Sequence, residues 1–212
     1  MVYLYALNTA CLPKEGEKQY FELLESLFPE RREKVKRCRN VEKQRQSLGA
    51  GLLLQKVLQK HGIAAQDISQ NSYGKPEVLG LCFNLSHSKE LVICAVSAMD
   101  VGCDVEYVRQ APKKVGERYF GEREKVFLKK EQSEYDEVFF RLWTIKESYM
   151  KMTGEGMRLP LSAFEVCFDN GVRIVRDQNI QPCFVHELDV QGYHIAVCAK
   201  EEEISDIIWM DI

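Results

Sequence analysis

Val101-Gly102-Cys103-Asp104-Val105-Glu106 reads as one strand with two chemically different faces. Alternation sends Val101, Cys103 and Val105 one way, into a core, and Gly102, Asp104 and Glu106 the other. The two carboxylates then stand roughly 6.5–7 Å apart along the strand, close enough to converge on one hard cation such as Mg²⁺. Gly102, lacking a side chain, leaves room for a ligand to approach the backbone. Taken alone, the segment also fits an edge strand with a solvated acidic face.

Working outward, Leu91-Val92-Ile93-Cys94-Ala95-Val96 precedes it as a buried-type strand, and the short polar turn between the two runs suggests a hairpin. Upstream lies Cys82-Phe83-Asn84-Leu85-Ser86-His87-Ser88, preceded by a Tyr73-Gly74-Lys75-Pro76 turn. Neighbours on a strand face opposite ways, so Ser86 and His87 cannot serve as a hydrolase nucleophile and its base. Residues 2–7 alternate as a further strand, edge or central. A helix is expected over about 15–28, stopped at Pro29. A longer one is expected over about 40–61, with an apolar stripe of Leu48, Leu52, Leu54, Val57 and Leu58 and a stop at Gly62. Between them, residues 31–39 carry six basic residues and one acidic. That is either a solvated face or the cationic patch a polyphosphate ligand needs.

Downstream, 107–135 is highly charged and should form one or two short helices, and Phe139–Met152 a helix ended by Gly154 and Gly156. Leu142, Ile145, Tyr149 and Met152 make its apolar stripe, with Glu147 and Lys151 roughly opposite. Those two could be a mere surface pair worth about 0.3–0.5 kcal/mol. Trp143 and Met150 flank Glu147, however, within about 60° on a wheel of 100° per residue, as at the wall of a cleft. Residues 160–200 read as strands. Tyr193-His-Ile-Ala-Val-Cys-Ala repeats the pattern of Leu91-Val-Ile-Cys-Ala-Val-Ser-Ala, a sign of duplication into halves of about 100 residues packed as a pseudo-dimer with a ligand cleft between them.

Composition bounds the function. The 212 residues carry 29 Lys+Arg against 32 Asp+Glu, a net charge of −3 that argues against a general nucleic-acid binder. The eight cysteines form no CxxC pair and lie mostly in apolar runs, as reduced core residues of a reducing compartment. The opening MVYLYALNTACLP lacks a basic n-region and is too short for a membrane span. A soluble cytoplasmic protein is expected.

Together these stretches resemble the Sfp-type 4′-phosphopantetheinyl transferases: the Arg-rich run 31–39, Tyr73–Pro76, Phe83–Ser88, Val101–Glu106 and Leu142–Lys151. The specific feature is Gly-x-Asp-x-Glu followed about forty residues later by Trp-x-x-Lys-Glu-x-x-x-Lys. The resemblance implies an α+β fold of two similar halves, 1–100 and 101–212, related by a pseudo-twofold, in a monomeric chain with the site in the cleft. It implies Mg²⁺-dependent transfer of phosphopantetheine from coenzyme A to a serine of an apo acyl or peptidyl carrier protein, with release of adenosine 3′,5′-bisphosphate. Asp104, Glu106 and Glu147 look like the metal-site carboxylates. Lys151 looks like the pyrophosphate contact that also meets the leaving group. The attacking serine must lose a proton, and Glu147, or a water it orients, is the group expected to take it. Ser86 and His87 look like phosphate contacts, His87 at the 3′-phosphate with Arg31 and Lys34, while Lys75 and Arg45 fall near the adenine end. The net-basic segment 107–135 is where an acidic carrier helix is expected to dock. Two other readings use the same residues: a Mg²⁺-dependent phosphohydrolase acting on coenzyme A or a nucleotide, and a non-catalytic binder of coenzyme A or a carrier.

Overall fold

Strand β1 (Val2–Asn8) lies in the interior of the first sheet, with Val2, Leu4 and Ala6 fully buried on one face and Tyr5 and Leu7 buried on the other. The structure is a computed structural model and describes residues 1–64, 68–70, 76–169 and 171–212. Helix α1 (Lys18–Ser26) ends before Pro29, as the sequence suggests, but Pro29 itself opens a second helix, α2 (Pro29–Arg37). Proline suits a first turn, where its missing N–H has no intrahelical partner to lose. The basic run is therefore mostly helical, with Val35 buried beneath it.

Helix α3 (Val41–Lys60) starts where the Asn40 side chain accepts from Lys43 N–H, and the chain leaves it through Gly62 at φ 72°. The short strands β2 (Ser69–Gln70) and β3 (Pro76–Glu77) pair with each other. Strands β4 (Cys82–Ser88) and β5 (Leu91–Ser97) form the hairpin that Lys89 closes in a left-handed conformation. The expected pairing of β5 with the next strand does not occur. β6 (Val101–Tyr107) leaves for a second sheet, and β5 pairs instead with β1 and β4.

The charged segment supplies α4 (Lys113–Tyr119) and α5 (Glu122–Lys130), and α6 (Tyr135–Thr153) follows, ending at Gly154 with φ 72°. A small antiparallel sheet comes next, β7 (Phe164–Cys167), β8 (Arg173–Arg176) and β9 (Asn179–Ile180). Strands β10 (Phe184–Val190) and β11 (Tyr193–Ala199) complete the second sheet in the order β10-β11-β6. A further strand that the sequence reading did not anticipate, β12 (Ile204–Trp209), returns to the first sheet and pairs in parallel with β1, giving β12-β1-β5-β4.

The result is a mixed α+β fold in four layers. α3 covers one face of the first sheet, where Leu53, Leu54, Val57 and Leu58 meet Phe83, Val92, Cys94 and Val96. Val2, Leu4, Ala6, Ile93 and Ala95 meet Val101, Cys103, Val105, Ile195 and Val197 between the sheets. α6 covers the second sheet through Leu142, Ile145, Tyr149 and Met152, the stripe expected from the sequence. Each such aliphatic side chain contributes about 1.5–3 kcal/mol when taken from water. None of the eight cysteines is in a disulfide. Cys94, Cys103 and Cys198 are core residues, whereas Cys11 is exposed and the others are half-buried.

Candidate active site

The two faces of β6 are those the alternation predicts, but Gly102 serves a different partner. A β-carbon there would stand 2.1 Å from Ser148 O and 2.3 Å from Met152 N. It is the backbone of α6, not a ligand, that uses the missing side chain. This close crossing brings α6 and its Glu147 and Lys151 against the Asp104 and Glu106 face of β6.

Asp104 is buried, and one of its oxygens is doubly held. Oδ1 receives Lys151 Nζ at 2.6 Å and Ser86 Oγ at 2.7 Å. Lys151 Nζ also donates to Ser86 Oγ and to Cys103 O, each at 3.1 Å. Asp104 Oδ2 is buried with no hydrogen-bond partner. Glu106 is less enclosed. Its Oε2 receives Ser88 Oγ at 3.1 Å and Arg109 Nη1 at 3.0 Å. Burial first, and the Asp104 charge second, push the Glu106 carboxyl up, while Arg109 and Ser88 pull it down.

Glu147 is half-buried, as Trp143 and Met150 beside it suggest. Burial, then Asp104, raise its pKa, Lys151 opposes that, and Glu106 adds to it. Burial disfavours the Lys151 ammonium, yet Asp104, Cys103 and Glu147 outweigh it and the net shift is upward. The site thus gathers three interacting carboxylates and one ammonium that stays charged.

His87 is exposed where Ser86 is buried, so the two do face opposite ways. Partial desolvation by the protein around its ring, then the charges of Lys151 and Lys34, lower the His87 pKa. Burial likewise lowers Arg31, and burial with Arg31 beside it lowers Lys34. His87, Lys34 and Arg31 therefore share one positive neighbourhood, open to an anion that would relieve their repulsion. Arg45 is committed elsewhere. It donates to the carbonyls of Thr9 (2.6 Å), Ala10 (2.9 Å) and Leu12, pinning residues 9–12 to α3. Lys75 lies outside the described residues.

Sequence reasoning gave Ser88 and Lys146 no role of their own, and counted Arg109 only among the basic residues of 107–135. Ser88 was visible only as the third member of the alternating Asn84, Ser86, Ser88. Lys146 is fully buried beside Glu147, with Nζ on both Glu124 oxygens (2.7 and 2.9 Å) and on Phe164 O (2.7 Å). It ties α6 to α5 and β7. Two cavities, about 770 and 390 Å³, lie along β7–β9 and α5, and their linings include none of the predicted site residues.

Among the described residues no group of three or more His, Cys, Asp or Glu side chains is placed to hold a metal ion as it stands. The donor set nevertheless suits a hard dication. Asp104 Oδ2 is an orphaned buried acceptor, and Asp104 raises the pKa of both Glu106 and Glu147, repulsion that a cation would remove. Chemically, the arrangement can neutralise a polyphosphate through Lys151 and a cation and accept a proton at a carboxylate of raised basicity.

Comparison with known proteins identifies the family. The family model of the 4′-phosphopantetheinyl transferase superfamily matches residues 100–198, a span that holds Asp104, Glu106, Glu147 and Lys151. The chain is 34% identical over 204 residues to the 4′-phosphopantetheinyl transferase gsp of Aneurinibacillus migulanus, covering 92% of this chain and 86% of that one. It is 33% identical over 194 residues to the 4′-phosphopantetheinyl transferase Sfp of Bacillus subtilis (strain 168), covering 87% of each. In structure it is similar to a holo-(acyl-carrier-protein) synthase from Bacillus anthracis str. Ames in complex with CoA (3′,5′-ADP). That similarity has a TM-score of 0.41 and 21% identity, over 48% of this chain and 94% of the other.

Proposed function

The chain belongs to the 4′-phosphopantetheinyl transferase superfamily and transfers phosphopantetheine to carrier proteins; on that premise we propose that coenzyme A is the donor, Mg²⁺ the ion, and Asp104, Glu106, Glu147 and Lys151 the working residues. The observation that carries this reading is the Asp104 carboxylate, with Oδ1 held by Lys151 and Ser86 and Oδ2 buried without a partner.

In the reaction the carrier's serine oxygen forms a bond to the phosphorus that bears the pantetheine arm. The bond from that phosphorus to the oxygen it shares with the nucleotide's 5′-phosphate breaks, and adenosine 3′,5′-bisphosphate leaves with the electron pair. Glu147, or a water it orients, takes the serine proton. General-base help is worth about 10²–10⁴ in rate. Lys151, charged and fixed beside Asp104, meets the pyrophosphate and the leaving phosphate. Asp104, Glu106 and Glu147 would hold Mg²⁺, which when bound neutralises developing charge on the phosphate oxygens.

His87, Lys34 and Arg31 receive the 3′-phosphate in this reading, and Ser86 contacts phosphate from the Asp104 side. Lys75 serves the adenine end, and Arg45 acts there through the 9–12 backbone it holds. The halves 1–100 and 101–212 form the two sides of the site as a pseudo-dimer, with residues 204–209 contributed by the second to the first sheet. The carrier docks along 107–135, where Lys113, Lys114 and Arg118 are exposed on α4. Among the described residues no helix is long and apolar enough to cross a membrane. A monomeric cytoplasmic enzyme completes the proposal. Incubation with coenzyme A, Mg²⁺ and a panel of apo-carriers, read by the mass of the carrier, tests it. A phosphopantetheinyl adduct is expected, and coenzyme A cleavage without an adduct would favour the phosphohydrolase instead.

A further inference from the structure

Strand β6 is an edge strand of its sheet, yet its outward N–H groups are met. Cys103, Val105 and Tyr107 donate to Asn84 Oδ1 (3.1 Å), Ser86 Oγ (3.4 Å) and Ser88 Oγ (3.0 Å) of β4. Alternate side chains of β4 thus stand in for a neighbouring backbone and join the two sheets along a polar seam. An edge strand buried without such acceptors would carry unpaired donors at about 1–3 kcal/mol each.

Both serines of the seam also hold a carboxylate, and they do so in the same way. Ser86 Oγ and Lys151 Nζ share Asp104 Oδ1. Two residues further along both strands, Ser88 Oγ and Arg109 Nη1 share Glu106 Oε2. One serine and one cation grip a single oxygen each time. At Asp104 the oxygen left over is the buried Oδ2 without a hydrogen-bond partner.

From this repetition we infer that Ser88 is a positioning residue for the reaction, fixing Glu106 by Oε2 so that Oε1 is the oxygen offered to a cation. The inference rests on the metal-site reading above. A glutamate side chain has several rotamers to lose when it binds an ion, and Ser88 removes that freedom beforehand. Ser88 gains its own orientation from the Tyr107 N–H that donates to it. Hydrogen-bond partners of ligating carboxylates typically change metal affinity by about 10–100-fold when lost.

The test is the affinity of the whole protein for Mn²⁺ in the presence of coenzyme A, read from the free-ion signal by electron paramagnetic resonance. Ser88→Ala is expected to weaken Mn²⁺ binding by about tenfold. Its kcat at saturating metal should change little, so that the loss appears in the metal concentration required. Ser88→Thr, which keeps the hydroxyl, is expected to retain the affinity. Wild-type Mn²⁺ affinity in Ser88→Ala overturns the inference, as does equal loss in Ser88→Ala and Ser88→Thr. Glu106→Gln separates the two levels of the argument. If it loses Mn²⁺ while Ser88→Ala does not, only the role of Ser88 falls. If Glu106→Gln binds Mn²⁺ like the wild type, the metal-site reading falls and takes this inference with it.

Discussion

Gly102 and Ser148 meet backbone to backbone, with 2.1 Å between the place of an added β-carbon and the Ser148 carbonyl oxygen. Neither group is the flexible end of a side chain, so Gly102→Ala must push α6 away from β6. Overpacking costs about 1–3 kcal/mol when side chains can adjust, and here they cannot. Chemical denaturation should show a loss at or above that range. Transfer should fall further than stability alone explains, because Glu147 and Lys151 move away from Asp104. A fully stable Gly102→Ala protein would mean that the helix crosses less tightly than described.

Glu147 gives a prediction about pH. Burial, then Asp104, hold its carboxyl above the ordinary value of 4.5. For an acid raised in the folded state, the neutral form favours folding. Its stabilising contribution is present below the unfolded pKa and is lost as pH rises through the folded one. Glu147→Gln, neutral throughout, should therefore melt higher than the parent near neutral pH, with the difference closing in acid. It should also have lost transfer. A variant that melts lower than the parent at neutral pH contradicts the burial argument, and one that still turns over excludes Glu147 as the base.

His87 should govern the choice of donor. A dianionic phosphate is recognised by several cationic or hydrogen-bond donors acting together, and His87 shares its surroundings with Lys34 and Lys151. Dephospho-coenzyme A should be the poorer donor for the wild type. Replacing His87 with Ala should narrow the gap by weakening coenzyme A alone, as KM values for both donors would reveal. Equal losses would remove His87 from the 3′-phosphate.

Lys113, Lys114 and Arg118 are exposed on α4, whereas Phe120 is in the core and Phe127 stacks on Phe168 at 4.6 Å. In the proposed docking of an acidic carrier helix, attraction must then come mostly from charge, not from those aromatics. Reversing the three basic residues to Glu should raise the KM for the carrier and spare that for coenzyme A. Added salt should raise the wild-type carrier KM, since the screening length shrinks from about 10 Å at 0.1 M to about 3 Å at 1 M. The variant should respond much less. An unchanged carrier KM would move docking to another face.

Lys146→Met removes one partner of a fully buried ion pair. Such a change costs about 3–5 kcal/mol, because the other charge is left without compensation. Adding Glu124→Leu should recover only part of the loss. Glu124 also accepts the N–H groups of Gly121 and Val166, each at 2.7 Å. Full recovery in the double variant, measured by urea denaturation, would show that those two bonds contribute little.

What could be read from the sequence was whatever a local period reveals. The alternation of Val101–Glu106 and the wheel of 139–152 put Asp104, Glu106, Glu147 and Lys151 on the correct faces, and these are the residues that α6 and β6 bring together. Features set by distant partners were not legible. Ser88 gains its role only because β4 lies beside β6, and Lys146 is buried because Glu124, 22 residues away, meets it. The turn before β6 resembled a hairpin because a polar turn does not say which sheet the chain enters next. The hold of Arg45 on the carbonyls of Thr9, Ala10 and Leu12 likewise depends on a segment more than thirty residues away.

The parallel pairing of Val2 with Ile204 has a consequence for synthesis. β1 is made well before its neighbour β12, which follows only after the other strands of both sheets. Until then one flank of β1 offers unsatisfied amides and carbonyls to any passing strand. The nascent chain therefore carries an adhesive margin for as long as the residues between β1 and β12 are being made.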